Sequence, residues 1–375
     1  KMTTPLKGEF RPIVDSSLAD VGAINSYDKM MGQYKSLPFV PDVKADLVNH
    51  VLDKAIAGIF IYLGREEAAI RENPAKRTTD LRKINGGAMI SFEQLHPAFA
   101  ASTASVDMAA PLSGEVRDEI VAAMDRYAVC IFRNDSPVED AHHLAFGRAF
   151  GPLMRQKMQQ TVSGRGIRLS TDELVDVGNL DENGRIHAAD DPRRAFHKGN
   201  LLWHSDVTFD RVRATYSILA AHQVPPDRAD TEFADMRAAY DALDDDVKDQ
   251  ISDLSAEHSI WYSRILGGMA EASDDVKATR PPARHPLVQV NPRNGRKSLC
   301  LASHASHIIG WPINEGRALL DELTAHATQP EFVFRHKWRL GDVVMWDNQQ
   351  TMHRGTPFDD TRYPRDMRRA TVLEA

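Results

Sequence analysis

Short apolar runs bounded by turn residues most constrain what this chain can fold into. Beyond residue 89, runs of strand length alternate with stretches of helical period. The predicted strands cover residues 127–132, 215–220, 298–302, 332–338, 343–346 and 369–373, and the predicted helices cover 138–150, 236–254 and 315–327. Strands this short and scattered favour a β-sandwich or barrel with helices packed outside it over a doubly wound parallel sheet. The predicted fold class is therefore mainly β with flanking helices (α+β).

The N-terminal part of the chain has a different pattern. Between Pro41 and Pro74, apolar residues recur at the spacing of one helix face, at Val43, Leu47, Val51, Ile56, Ile59, Phe60 and Leu63. The sequence Asn85-Gly86-Gly87, a strong loop signal, follows this region. We therefore predict a small all-helical module over residues 1–87, joined to a second domain over residues 88–375.

Charge and cysteine content restrict the partners and the compartment. The 375-residue chain has a formal net charge of -7, which gives no overall attraction to nucleic acid or an anionic membrane. Cys130 and Cys300 lie in apolar stretches, as expected of reduced, buried thiols. Residues 1–5 lack a signal-peptide pattern, and no run approaches the roughly 20 apolar residues of a membrane span. We expect a cytoplasmic protein without nucleic-acid or membrane partners; whether it forms a homo-oligomer stays open.

A His-x-Asp triplet is the first candidate metal motif. His204 and Asp206 are two residues apart, so on an extended strand both side chains would point to one face. Two histidines and one carboxylate on one face of an octahedron form the facial triad of Fe(II) oxygenases. A chain with 15 histidines produces such triplets by chance, and the alternative is an ordinary surface or core histidine. The motif therefore needs a third ligand.

His353 is the candidate third ligand. It follows an apolar strand and a polar turn, a position from which its ring can reach the mouth of a barrel. Downstream, Arg365 and Arg369 are four residues apart, so on a strand they share a face and offer two cationic forks for carboxylates. The alternative for each arginine is a solvated surface position, which is common for this residue type.

Five ordered segments carry a family resemblance. They are Leu95-His96-Pro97-Ala98-Phe99-Ala100-Ala101, Leu201-Leu202-Trp203-His204-Ser205-Asp206, residues 230–243, Val344-Met345-Trp346-Asp347-Asn348, and Arg365-Asp366-Met367-Arg368-Arg369-Ala370-Thr371. In these segments the chain from about Met89 to Ala375 resembles the TauD/TfdA family of 2-oxoglutarate-dependent dioxygenases, and most closely its TfdA branch, the 2,4-dichlorophenoxyacetate dioxygenases. Residues 6–84 resemble part of a bacterial helical domain family of unknown function.

The resemblance implies a fold and a set of cofactors. The core would be a double-stranded β-helix, or jelly roll, with Fe(II) held by His204, Asp206 and His353. Thr231 and Arg365 would bind the distal carboxylate of the cosubstrate 2-oxoglutarate. With O2, such an enzyme hydroxylates its substrate and releases succinate and CO2.

The same resemblance implies a substrate class. Arg369 looks like the residue that binds the substrate's own carboxylate, so the expected substrate is a small carboxylate, most closely an aryloxyacetate of the 2,4-dichlorophenoxyacetate type. Hydroxylation beside its ether oxygen gives a hemiacetal that breaks down to a phenol and glyoxylate. The alternatives among enzymes are a dioxygenase for taurine or another sulfonate, and one for a natural aromatic carboxylate. The alternative outside enzymes is a catalytically silent, metal-binding scaffold, although core packing does not require all six polar residues.

Two departures from the family pattern concern the cosubstrate site. The family usually has two glycines before the Asp-Thr pair, whereas this chain has Arg228-Ala229, which removes glycine's permissive backbone. The segment between His353 and Arg365 is one residue longer than in TfdA-like sequences, and Thr356-Pro357 replaces two arginines. A loop absorbs a single-residue insertion easily.

Overall fold

A computed structural model describes residues 90–155, 168–188, 191, 193–226 and 229–374 of the chain, apart from the side chains of residues 195–197. These residues lie in a unit that spans Ile90–Ala375. The helical module predicted for residues 1–87 lies outside the described residues, so the module and the two-domain division stay predictions.

Strands dominate the described part of the chain. They are β1 (Glu93–Gln94), β2 (Ala101–Thr103), β3 (Val129–Phe132), β4 (Leu174–Asp176), β5 (Ala214–Gln223), β6 (Thr231–Asp235), β7 (Ser255–His258), β8 (Ala283–Pro286), β9 (Val288–Val290), β10 (Lys297–Leu299), β11 (Ala305–Ile308), β12 (Val333–His336), β13 (Val343–Asp347), β14 (Thr351–Gly355) and β15 (Asp366–Leu373). All six predicted strands are confirmed, with ends that differ by up to three residues.

Helices connect and cover these strands. They are α1 (Gly114–Tyr127), α2 (Asp140–Arg148), α3 (Arg193–Gly199), α4 (Met236–Asp241), α5 (Asp245–Ile251), α6 (Ile260–Leu266), α7 (Asp274–Ala278) and α8 (Ile313–Ala327). The single helix predicted over residues 236–254 is wrong. Asp244 has an extended backbone, with φ -63° and ψ 150°, which ends the first helical segment and starts a new one.

Two sheets in the described residues build the core. The larger has the strand order β1-β2-β3-β13-β5-β15-β4, and the smaller has the order β12-β6-β14. In the larger sheet the pairings are antiparallel except for β2 with β3. Two further small sheets have the orders β11-β7-β8 and β10-β9. The prediction of a mainly β fold with flanking helices is confirmed.

The central strands of the larger sheet are buried on both faces. In β3, Val129 and Ile131 belong to an apolar cluster that also contains Phe233 of β6, so this cluster lies between the two sheets. Cys130 and Phe132 belong to a second cluster, which contains residues of α1 and α2. Because side chains alternate along a strand, burial on both faces produces the unbroken apolar runs seen in the sequence.

The interior also contains both cysteines. Cys130 and Cys300 are free and buried, as predicted. Burial raises the pKa of the Cys300 thiol to about 11, which keeps it protonated at neutral pH. Throughout the described ranges, no helix has the length and apolar character needed to cross a bilayer.

Two glycines with similar backbones differ in their surroundings and give a test of the fold. Gly341, just before β13, has φ +83°, and an added Cβ would lie 2.4 Å from the Asn134 carbonyl oxygen. Gly184 has φ +73° and open space around it. We expect Gly184→Ala to cost about 1–2 kcal/mol of stability, and Gly341→Ala about 3 kcal/mol or more because backbone must also move. Equilibrium urea unfolding measures both, and equal losses would contradict the tight packing before β13.

Candidate metal centre

Two distant parts of the chain meet through a pair of reciprocal backbone hydrogen bonds. His204 N donates to His353 O at 3.0 Å, and His353 N donates to His204 O at 2.8 Å. His353 lies within β14, whereas His204 forms only an isolated bridge. The extended strand predicted around His204 and Asp206 is therefore wrong, because the chain turns at Asp206. The bridge nevertheless fixes the two histidine backbones side by side.

His204, Asp206 and His353 form a buried cluster whose ligand atoms lie within 4.8 Å of one another. His204 Nε2 lies 3.9 Å from Asp206 Oδ1, and His353 Nε2 lies 3.7 Å from Asp206 Oδ2. His204 Nδ1 donates to the Leu202 carbonyl oxygen at 2.7 Å, so its Nε2 keeps the lone pair that a metal needs. Two imidazoles and a carboxylate are a donor set that suits non-haem Fe(II).

The protonation states of the cluster also suit a metal. Burial lowers the pKa of His204 and, more strongly, that of His353, so both rings are neutral at neutral pH. Burial alone would raise the pKa of Asp206, but the Arg369 guanidinium and the hydrogen bond from Ser217 hold it below its usual range. Neutral imidazoles and an ionised carboxylate bind divalent cations without first losing protons.

A buried polar network fixes the orientation of the Asp206 carboxylate. Ser217 Oγ, on β5, donates to Asp206 Oδ2 at 2.7 Å, and Asn348 Nδ2 donates to Ser217 Oγ at 3.0 Å. Asn348 Oδ1 accepts from Asp206 N at 3.1 Å and from Trp346 Nε1 at 3.0 Å. Because these groups are buried, removing one partner leaves another without a hydrogen bond.

The backbone directly after Asp206 is strained. Val207 has φ 61°, in the left-handed region, and its side chain is buried. A β-branched residue rarely adopts this conformation, which costs about 1–2 kcal/mol for residues other than glycine. The strained residue belongs to the turn that replaces the predicted strand.

A cavity of about 350 Å³ adjoins the cluster. Five of the six site residues predicted from the sequence line it, whereas Asp206 does not: the five are His204, Thr231, His353, Arg365 and Arg369. Apolar parts of the wall come from Leu201, Leu219 and Phe358. A mostly apolar wall with a few convergent polar groups is typical of a small-molecule site.

Arg365 presents a cation to this cavity from the residue before β15. Its backbone N donates to Asn179 Oδ1 at 2.7 Å, and its Nη1 donates to Val177 O at 2.6 Å. Within the described residues it has no carboxylate partner, and burial lowers the pKa of its guanidinium to about 10. Gly178 allows the close approach, because a Cβ there would lie 2.4 Å from the Arg365 carbonyl oxygen. A cation placed in this way can receive an anion.

Thr231 starts β6 on the same cavity wall. Its Oγ1 accepts from Trp338 Nε1 at 3.0 Å, so the hydroxyl proton remains available to donate. Ala229, two residues earlier, has φ 59° and thus adopts a conformation that costs glycine little. The backbone therefore stays glycine-like where the sequence departs from the family pattern; Arg228 lies outside the described residues.

Arg369, on β15, contacts the cluster directly. Its Nη1 donates to Asp206 Oδ1 at 2.5 Å. Its Nε is buried and has no hydrogen-bond partner in the part of the chain that the structure describes. Arg365 and Arg369 both line the cavity, in agreement with the predicted shared face, although Arg365 lies just outside the strand. The contact with Asp206 was not predicted.

Sequence reasoning missed three residues that support the site. Asn348 follows a buried strand within a segment quoted for the family resemblance, but no role was assigned to it. Ser217 is a polar residue inside an apolar strand, which is a usable signal because buried polar groups need partners. Gly178 follows Val177 close to β4, where a glycine can indicate a close backbone approach.

Comparison with known families gives two matches. Residues 91–371 match the family described as taurine catabolism dioxygenase TauD, TfdA family. Residues 1–84 match a family described as a protein of unknown function (DUF4197). Both matches confirm the resemblances found in the sequence.

Individual relatives are similar over most of their length. The alpha-ketoglutarate-dependent 2,4-dichlorophenoxyacetate dioxygenase of Burkholderia sp. (strain RASC) is 43% identical, over 76% of this chain and 94% of that protein. The protein of the same description from Cupriavidus pinatubonensis (strain JMP 134 / LMG 1197) is 44% identical, over 75% and 96%. A crystal structure of AAD-2 in complex with Mn(II) and N-oxalylglycine has 44% identity and a TM-score of 0.70, over 77% of this chain and 98% of that chain. The predicted jelly-roll core is confirmed.

The network around Asp206 leads to a prediction about metal affinity. Ser217→Ala removes the donor to Asp206 Oδ2 and leaves Asn348 Nδ2 without its acceptor. We expect Mn(II) affinity to fall by about 10–100-fold, the usual effect of losing a partner of a metal ligand. Ser306→Ala is the control, because this buried serine donates to Glu257 O instead. Calorimetric titration measures both variants, and an equal change in the two would refute the role of Ser217.

Proposed function

We propose, because the chain belongs to the taurine catabolism dioxygenase TauD, TfdA family, that its substrate is a small carboxylate, most closely an aryloxyacetate of the 2,4-dichlorophenoxyacetate type. The chain is an Fe(II)- and 2-oxoglutarate-dependent dioxygenase that uses O2. Hydroxylation beside the ether oxygen gives a hemiacetal, which breaks down to a phenol and glyoxylate. The second oxygen atom of O2 ends in succinate, and CO2 is released.

The observation that carries the proposal is the convergence of the buried His-Asp-His cluster and the guanidinium groups of Arg365 and Arg369 on one cavity. When bound, iron and 2-oxoglutarate together activate O2 for insertion of one oxygen atom into a C–H bond. The task of the chain's own residues is to hold the reactants in position and to keep water away. The cavity wall has polar groups that can position the reactants and apolar groups that exclude water.

The six predicted site residues would have separate tasks. His204, Asp206 and His353 would hold the iron. Arg365 would bind the distal carboxylate of 2-oxoglutarate through charge-assisted hydrogen bonds, and the Thr231 hydroxyl would donate to the same group. Among the described residues Arg365 has no carboxylate partner and the Thr231 hydroxyl proton is free to donate, and both facts support this assignment.

Arg369 would bind the carboxylate of the substrate. Its guanidinium lies against a metal ligand, so a carboxylate on it brings the neighbouring carbon close to the metal centre. Leu201 and Phe358 would contact the apolar remainder of the substrate and exclude water. This arrangement suits a substrate with a C–H bond next to its carboxylate and an aromatic group beyond it.

Two other substrate classes use the same anion receptor. A guanidinium binds the sulfonate of taurine as well as a carboxylate, and the family description includes taurine catabolism. A natural aromatic carboxylate is the other. Succinate formation is measured with three substrates: 2,4-dichlorophenoxyacetate, an aromatic carboxylate that lacks the ether oxygen, and taurine. The substrate that is turned over separates the three classes, and turnover of taurine alone would contradict the proposal.

The two arginines should affect different ligands. We expect Arg365→Ala to raise the 2-oxoglutarate requirement by about one to two orders of magnitude, since a charge-assisted contact is worth roughly 1.5–3 kcal/mol. Arg369→Ala should instead raise the substrate requirement and let succinate form without hydroxylated product. Arg369→Lys should recover part of the loss, because a point charge lacks the planar fork. Succinate and product are measured with each ligand varied in turn; a reversed pattern would exchange the two roles.

The domain division is also part of the proposal. Residues 1–87 would form a separate helical module without a catalytic role, since the predicted site residues and the dioxygenase family match lie beyond them. We expect a chain that begins at Met89 to keep iron-dependent succinate formation. The same assay tests this, with circular dichroism as a check on folding. A folded but inactive chain would show that residues 1–88 contribute to activity.

A further inference from the structure

We propose that Arg369 binds the substrate carboxylate and the metal ligand Asp206 at the same time, so that metal and substrate bind cooperatively. The inference rests on the proposed function for the nature of the substrate. It adds a positioning task to a residue that the sequence assigned to the substrate alone.

The guanidinium of Arg369 is engaged on one side only. Nη1 donates to Asp206 Oδ1 at 2.5 Å. Nε is buried, so a ligand in the cavity cannot reach it. Nη2 has no hydrogen-bond partner among the residues that the structure describes, and together with the second hydrogen of Nη1 it forms the outer edge of the planar group, here called the free edge. A carboxylate can bind this edge through two parallel hydrogen bonds, so both contacts fit one guanidinium.

The contact places a positive charge beside the metal centre. Asp206 Oδ1, the oxygen that Arg369 contacts, also lies 3.9 Å from His204 Nε2. The other oxygen accepts from Ser217 and lies 3.7 Å from His353 Nε2. The guanidinium therefore competes with a metal cation for the Asp206 carboxylate, and its positive charge repels the metal cation. Burial strengthens this repulsion, because water screens it less than at the surface.

A substrate carboxylate on the free edge of Arg369 would compensate this charge. The guanidinium would then repel the metal ion less, and the metal would bind more tightly. Linkage requires that the metal raise the affinity for the carboxylate by the same factor. Arg369 would in this way favour anionic substrates at a loaded metal centre without any contact between metal and substrate.

Arg365 provides a matched control. It is a second cation on the wall of the same cavity. Its Nη1 donates to the Val177 carbonyl oxygen and not to a metal ligand. Removing it takes away an equal charge but leaves the hydrogen bonds of Asp206 in place.

Titration of the full chain with Mn(II) alone tests the contact with Asp206. We expect Arg369→Ala to bind Mn(II) about three-fold or more tightly than the wild type, because a neighbouring cation is lost. Arg365→Ala should stay within about two-fold of the wild type, because the Arg365 guanidinium contacts the Val177 carbonyl oxygen and no metal ligand, and repulsion falls with distance. A purely structural role for Arg369 would weaken Mn(II) binding. Weaker binding in Arg369→Ala, or equal affinities in the two variants, overturns the proposal.

A second titration, with saturating phenoxyacetate present, tests the bridge. Phenoxyacetate should raise the Mn(II) affinity of the wild type about five-fold or more, which is the low end of typical coupling between sites. Arg365→Ala should keep this effect, whereas Arg369→Lys should reduce it below about two-fold because an ammonium lacks two binding edges. Turnover of phenoxyacetate without any effect on Mn(II) affinity overturns the bridge and leaves the proposed function intact. Absence of succinate formation with every carboxylate tested overturns the proposed function instead.

Discussion

The burial of β13 on both faces is the constraint on which the rest of the structure depends. All residues of Val343–Asp347 are buried, and the strand pairs with β3 on one side and β5 on the other. The chain that leaves it supplies Asn348 to the Asp206 network and, through β14, places His353 beside His204. Because β13 is hydrogen-bonded on both edges and packed on both faces, the end of the strand can move little. The packing of the core therefore keeps the site rigid.

Much of the fold could be predicted because burial on both faces leaves a plain record in the sequence. Val129–Phe132, for example, forms an unbroken apolar run, and its short length and β-branched residues favour a buried strand over a helix. The helix break at Asp244 was missed because apolar spacing of helical period continues through it, although Asp244-Asp245-Asp246 has the composition of a helix start. Likewise, nothing in a His-x-Asp triplet distinguishes a strand from the turn observed at Asp206, since both bring the two side chains together.

The residues of the candidate site also fall into those that the sequence could predict and those that it could not. The histidines and arginines could be identified as candidates from the sequence, because few side chains share their chemistry. The family resemblance supplied their expected tasks. Ser217 and Asn348 could not be identified in this way, since serine in a strand and asparagine after a strand are common. Their importance comes from contacts between segments far apart in the chain. The same holds for Arg369: its spacing from Arg365 predicted a shared face, whereas its contact with Asp206 exists only in the folded protein.

Val207 links the site to the stability of the whole chain. Its left-handed backbone follows Asp206, the proposed metal ligand, so the folded chain keeps a conformational penalty beside the site. Glycine would relieve that penalty, yet it would also loosen the segment on which Asp206 is held and give the unfolded chain more freedom. At position 207, relief of the backbone penalty thus favours glycine, whereas a fixed position for Asp206 favours valine. This position is where a stability–activity trade-off in the enzyme would concentrate.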